Sequence, residues 1–140
     1  TIQARETQVG GAVCVDSCLE FFLQPFADDA RYLNFEVNPL GTLHLGIGGG
    51  RENRSVFNPP PLGIAPAASE HRGARWAVYY AIPSAFLVAQ FGRKLDGCVR
   101  ANCYTCDESI HPHFGTLFPV SAPQPDFHRP ECFQTIAVEI

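Results

Sequence analysis

The sequence predicts an all-β fold: an antiparallel β-sandwich, jelly-roll-like, with at most one short helix near residues 84–91. Three observations predict it. Short apolar and aromatic runs recur with two-residue alternation, the period at which successive side chains of a strand point to opposite faces. Glycine and proline, twelve of each, punctuate the chain between those runs. Helical periodicity is almost absent, and many short strands divided by turn residues are the signature of a sandwich.

The first strand is expected in Cys18-Leu-Glu-Phe-Phe-Leu23 and the second in Tyr32-Leu-Asn-Phe-Glu-Val-Asn38. In the second, Leu33, Phe35 and Val37 make one face apolar, while Tyr32, Asn34, Glu36 and Asn38 make the other polar. Proline and aspartate between residues 25 and 31 suit a hairpin loop, and Asn38-Pro-Leu-Gly41 reads as a turn into a third strand, Thr42-Leu-His-Leu-Gly-Ile47. Three neighbouring strands then form a meander. Residues 48–66, with Gly48-Gly-Gly50 and Pro59-Pro-Pro61, read as a long irregular surface loop. A fourth strand is expected over Ala74–Ile82 and ends at Pro83. Ser84 is placed to cap a helix that runs through Phe86 to Phe91 and stops at Gly92. Further strands are expected in Gly97–Tyr104 and in the alternating run Cys132–Ile140.

At 140 residues the chain has the size of one domain, and 46% hydrophobic against 17% charged residues gives it the means to form a core. The net charge is −4, and nine arginines and one lysine are scattered, with no stripe that could track phosphates. Nucleic acid is therefore not an expected partner. Nor is a membrane, since no apolar run approaches the length that spans a bilayer. The sequence leaves the oligomeric state open.

The six cysteines, Cys14, Cys18, Cys98, Cys103, Cys106 and Cys132, suit an oxidising compartment, although the sequence selects none of their pairings. Cys103-Tyr-Thr-Cys106 has zinc-knuckle spacing, but no second pair accompanies it. Positions three apart on a strand face opposite ways, so one buried and one outward thiol is the expected arrangement. His111-Pro-His113 places two imidazoles close together, and only His128 or Cys106 stands ready to complete a zinc set. With no methionine in the chain, haem could be ligated only by histidines. Asp107 and Glu108 are adjacent and point apart if extended, and Glu20 and Glu36 show no sign of a shared cleft, so a glycosidase pair is not expected. The expected role of His111, His113 and His128 is to brace backbone groups in proline-rich loops.

Several segments occur in the order found in family 9-like carbohydrate-binding modules: Asp16-Ser-Cys-Leu-Glu-Phe-Phe22, Tyr32-Leu-Asn-Phe-Glu-Val-Asn38 with Gly41-Thr42, Arg100-Ala-Asn-Cys-Tyr104 with Cys106, Pro112-His-Phe114, and Pro125-Asp-Phe-His-Arg-Pro130 with Phe133. Nearly the whole chain resembles such a module. The resemblance implies a β-sandwich related to DOMON-type domains, with structural calcium as the one cofactor and no catalysis of its own. It implies an oligo- or polysaccharide end as partner, in an exported, accessory part of a polysaccharide-processing protein. Calcium would draw on Asp16, Glu20, Asp28, Asp29 or Asp107. Members commonly carry further strands before the first of these motifs, whereas fifteen residues precede Asp16 here, so residues 1–140 are expected to be one domain short of N-terminal strands. Cys14 and Leu117-Phe118 stand where members often have tryptophans.

Sugar binding needs a flat apolar platform and a few fixed donors and acceptors. Trp76, the single tryptophan, is a candidate platform, weighed against a place in the core; Tyr104, Phe114 and Phe118 are alternatives. Asn38, Arg51, Arg54, Arg100 and Asp107 are the candidate polar partners, with His111 and His113 at the edge of the site. Two other readings compete with this one. They are a structural or interaction sandwich with no retained sugar site, and a metal-dependent hydrolase built on the His111/His113 segment.

Overall fold

The computed structural model describes residues 2–71, 75–109 and 111–139; Ala74, at the start of the expected fourth strand, and Ile140, at the end of the last, lie outside them. Nine strands and one α-helix are formed among the described residues: β1 (Cys18–Gln24), β2 (Tyr32–Val37), β3 (Leu43–Gly48), β4 (Ser55–Val56), β5 (Ala67–His71), β6 (Arg75–Tyr79), α1 (Ser84–Phe91), β7 (Cys98–Asp107), β8 (His113–Thr116) and β9 (Gln134–Ala137). A seven-stranded antiparallel sheet runs in the order β4-β3-β2-β1-β7-β8, with β9 also paired to β7, and β5 and β6 form a separate hairpin.

The alternation read from sequence separates two chemistries across the main sheet. Leu23, Leu33, Phe35, Val37, Leu43, Leu45, Val99 and Ala101 project to one side and form the core, closed over by Phe86, Leu87 and Phe91 of α1 and by Val78 and Tyr80 at the end of the β5–β6 hairpin. Tyr80 stacks on Phe35 with ring centroids 5.4 Å apart. Each fully buried side chain of this kind stabilises the fold by about 1.5–3 kcal/mol. The second layer of the sandwich is therefore a hairpin and a helix rather than a second large sheet. Among the described residues no helix is long and apolar enough to cross a membrane.

The opposite face carries Cys18, Glu20, Phe22, Asn34, Glu36, Asn102, Tyr104 and Cys106, and it too is covered. Residues 117–133 fold back over it, so that Val120, Phe127 and Phe133 pack on Phe22, Tyr32 and Tyr104. A 3-10 turn, Val13–Val15, closes the end beside Cys18 and Cys106.

The turn at Asn38-Pro-Leu-Gly41 forms as the sequence requires. Gly41 donates to the Asn38 carbonyl at 2.9 Å and adopts φ +79, the left-handed conformation that glycine tolerates best. A Cβ on Gly41 would lie 3.2 Å from the Pro66 carbonyl oxygen. Gly41→Ala should cost about 1–2 kcal/mol, read as a lower urea midpoint with an unchanged denaturant slope; an unshifted midpoint would contradict this account. Gly92, at φ 76, ends α1 as expected. The start of that helix differs from expectation. Pro83 occupies the cap position and Ser84 is the first helical residue, because the proline dihedral already directs the chain into the helix.

Two further differences bear on the site. The segment read as a loop around His113 and Phe114 is strand β8, drawn into the sheet by pairing with residues 104–107 of β7. β7 is longer than the sequence suggested and carries β8 on one half of an edge and β9 on the other half of the same edge. Asn102 fills the gap between them. Its amide oxygen accepts from the N–H groups of Cys103 and Phe118, and its amide nitrogen donates to Thr116 Oγ1 and the Phe118 carbonyl.

Candidate functional site

Glu20 and Glu36 are direct cross-strand partners on β1 and β2. The same register sets His44 opposite Glu36, Tyr104 opposite Glu20 and Thr116 opposite Tyr104. Opposed side chains on one face have Cβ atoms about 4.5–5.5 Å apart, so five strands lay one polar row across the sheet. The absence of a shared cleft, expected from sequence, is overturned here: strand pairing brings the two glutamates together.

A pocket of about 100 Å³ opens on this row. Glu20 and Glu36 lie on its floor, Arg51 and Glu108 at its sides, and Phe114, Pro125, Phe127 and His128 along its wall, with Cys14 at one end. Phe114 is 40% exposed and meets Phe127 edge-on, while Phe127 stacks flat on Tyr104 with centroids 4.2 Å apart. An aromatic wall is thus built from β8 outward and backed by the sheet. A second cleft lies on the other side of the same Phe114–Phe127 wall.

Burial, and then the neighbouring Glu36, push the Glu20 carboxyl up to about 8, so it is largely protonated at neutral pH and can donate as well as accept. Burial also raises Glu36, against the opposing pull of His44, an Asn34 hydrogen bond and Arg54. Asn34 Nδ2 donates to Glu36 Oε1 at 2.7 Å, and Asn34 Oδ1 in turn accepts from Arg54 Nε and Nη2. This chain fits only because residue 46 is glycine, where a Cβ would lie 2.6 Å from Asn34 Oδ1. His128 is lowered to about 4, by burial first and then by Arg54 and Arg51, and is neutral. Its Nδ1 lies 2.7 Å from Tyr32 Oη. Burial raises that phenol to about 12, so it keeps its proton; with that proton donated to Nδ1, the ring proton sits on Nε2 and is a donor for the pocket. Arg51 is held at the mouth by Asp126, 2.7 Å away.

The family model "Carbohydrate-binding family 9" matches residues 1–138. The chain belongs to carbohydrate-binding family 9. A crystal structure at 2.70 Å of a "putative carbohydrate-binding protein" from Bacteroides uniformis ATCC 8492 is similar to this family 9 chain, with a TM-score of 0.81 and 29% identity over 99% of this chain and 68% of that one. No curated protein matches.

On the family 9 fold, the sequence-derived candidates divide. The structure brings Arg51 and Phe114 into the pocket and sets Tyr104 behind it. Arg54 lies beneath it as a brace, its guanidinium 4.2 Å over the Tyr32 ring and bonded to the Gly50 and Tyr32 carbonyls. Trp76 lies on β6, half-buried on the side that carries Val78, away from the pocket lining. Asn38 is buried and spends its amide on Glu6, Asp16 and the turn N–H groups of Leu40 and Thr42. Arg100 ties Gln24 to the carbonyls of Pro130 and Phe133, and Asp107 accepts from Ser17 and Ser109. His111 borders a separate cleft near Asp16, and His113 is exposed with Nδ1 beside the His111 carbonyl. Phe118 is held by Asn102 at the start of the covering segment.

The calcium donors implied by the resemblance do not gather. Asp16 accepts from Arg5, Glu6 and Asn38, Asp28 pairs with Arg93, and Asp29 pairs with Arg31. Among the described residues the arrangement does not fit a calcium cage.

Glu20, Glu36, Phe127 and His128 are pocket-lining positions that residue patterns did not bring together. A signal for them was present, since all four fall inside the motifs that carry the family resemblance.

Proposed function

We propose that the pocket over Glu20 and Glu36 receives the end of a carbohydrate chain, and that the protein is a non-catalytic, exported accessory module that holds a polysaccharide-processing protein on its substrate. The observation that carries this reading is the convergence, on a family 9 fold, of one aromatic wall with donors and acceptors of fixed orientation. Phe114 and Phe127 offer faces and edges to the C–H surface of a pyranose, a protonated Glu20 and the Nε2–H of neutral His128 offer donors, and Glu36 offers an acceptor. Arg51 suits vicinal hydroxyls or a sugar carboxylate. The neighbouring cleft gives a longer chain a path across Phe114.

The two glutamates stand side by side on one floor. A glycosidic bond must lie between an acid and a carboxylate placed on opposite sides of it, so this pair favours gripping hydroxyls over hydrolysis.

The reading is checked by affinity-gel retention and glycan-array binding of the wild type, Phe114→Ala, Arg51→Ala and Trp76→Ala. Loss of the aromatic face should weaken binding roughly tenfold, with a comparable loss for Arg51→Ala and none for Trp76→Ala. Retention on no glycan, or retention indifferent to Phe114 and Arg51 but dependent on Trp76, would sink it.

A further inference from the structure

Beneath one end of the pocket floor, the sheet buries two thiols that the sugar reading does not use, beside Glu20, which it does. Cys18 and Cys106 are direct partners across β1 and β7, and Glu20 follows two positions along β1 on the same face. One ligand atom from each of the three residues lies within 4.8 Å of the others, and all three residues are buried. Cys106 Sγ lies 3.0 Å from Glu20 Oε1 and 3.6 Å from the Cys14 carbonyl oxygen. Tetrahedral zinc, with sulfur at about 2.3 Å and carboxylate oxygen at about 2.0–2.2 Å, sets its ligand atoms about 3.5–4 Å apart. The separations present, from 3.0 Å for Cys106 Sγ to Glu20 Oε1 up to at most 4.8 Å, bracket that spacing.

We propose that Cys18, Cys106 and Glu20 form a thiolate–carboxylate site for a zinc-like divalent cation, with a fourth position toward the pocket where Cys14 and Glu36 stand. Two thiols and the Glu20 carboxyl are crowded into a buried space, and each can release its proton to a bound cation. Two soft sulfurs and one carboxylate select zinc over calcium or magnesium, which take oxygen donors. Cys18 and Cys106 do not line the sugar pocket, whereas Glu20 is shared with its floor, so metal binding is read without glycan and glycan binding is read in chelator, and each can fail without the other.

The test uses the whole chain, reduced and freed of metal by a chelator, titrated with Zn²⁺ alone against a competing chelator and separately with Co²⁺. One equivalent of zinc should bind, and the Co²⁺ form should show thiolate charge-transfer absorption and the intense visible bands of tetrahedral coordination. Cys18→Ala and Cys106→Ser should each weaken zinc binding roughly a hundredfold or more, while Cys98→Ser, at an exposed thiol, should not change it. The wild-type cobalt spectrum keeps the test decisive even if a variant fails to fold. Three results would overturn the proposal: no stoichiometric zinc on the folded reduced protein, a cobalt spectrum without thiolate bands, or a Cys18–Cys106 disulfide in protein prepared anaerobically with zinc present.

Discussion

Phe22→Ala is expected to destabilise the fold by about 3–5 kcal/mol, the range for emptying a buried aromatic position. Phe22 is fully buried at the centre of the covered polar face, with Tyr104 at 5.0 Å, His128 at 4.9 Å, Tyr32 at 5.9 Å and Phe133 at 6.3 Å between ring centroids. Those neighbours come from β2, β7 and the 117–133 segment, so the cavity would have walls fixed to several elements and little freedom to collapse. Because Phe22 supports the ring of His128, the same substitution should also loosen the pocket wall and weaken sugar retention. Urea unfolding measures the first effect. A loss below about 1 kcal/mol, outside the range for a rigid site, would show that the covering segment does not pack on the sheet as described.

Glu20→Gln is expected to flatten a fall in stability that the wild type shows as pH rises above neutrality. The carboxyl is raised from 4.5 to about 8 in the folded chain, so between those values the folded state holds a proton that the unfolded state has lost. The associated stability is fully present below about 4.5 and disappears as pH rises through about 8. His128 works in the opposite sense: its folded value is about 4 against an ordinary 6.5, so its contribution is lost as pH falls through that lower window. Above about pH 6.5 the glutamates act without it, and one proton corresponds to about 1.4 kcal/mol per pH unit, or about 2 kcal/mol from pH 6.5 to 8. Urea unfolding in chelator across that interval should show the decline in the wild type and a much smaller one in Glu20→Gln. Equal slopes for the two would contradict the burial of a protonated Glu20.

The apolar side of the sheet was legible because alternation is local. Leu33, Phe35 and Val37 announce a buried face without any knowledge of what covers them, and Gly41 and Gly92 announce their turns through backbone conformations that few other residues accept. The site was less legible because it depends on register and on a covering segment distant in sequence. Glu20 and Glu36 become neighbours only once the hairpin pairs residue 20 with residue 36, and alternation cannot state that number. The polar face of β2 reads as polar in sequence yet is buried, because residues 120–133 bring Phe127, His128 and Phe133 over it. Trp76 illustrates the converse. Residue type made it the natural platform, while its strand placed it on the hairpin beside Val78.

The junction at Asn102 has a consequence for how such a protein can change. The segment 117–133 leaves the sheet beside one half of β7 and returns beside the other half, with Asn102 pinning its departure. Lengthening a tethered loop costs little, about 0.6 kcal/mol for each doubling. Residues could therefore be added or exchanged around Pro125–His128 while the strand pairs and the apolar core stay as they are. The apolar core and the outer wall of the pocket are thus carried by different parts of the chain, and changes in pocket shape would be sought first in that one segment.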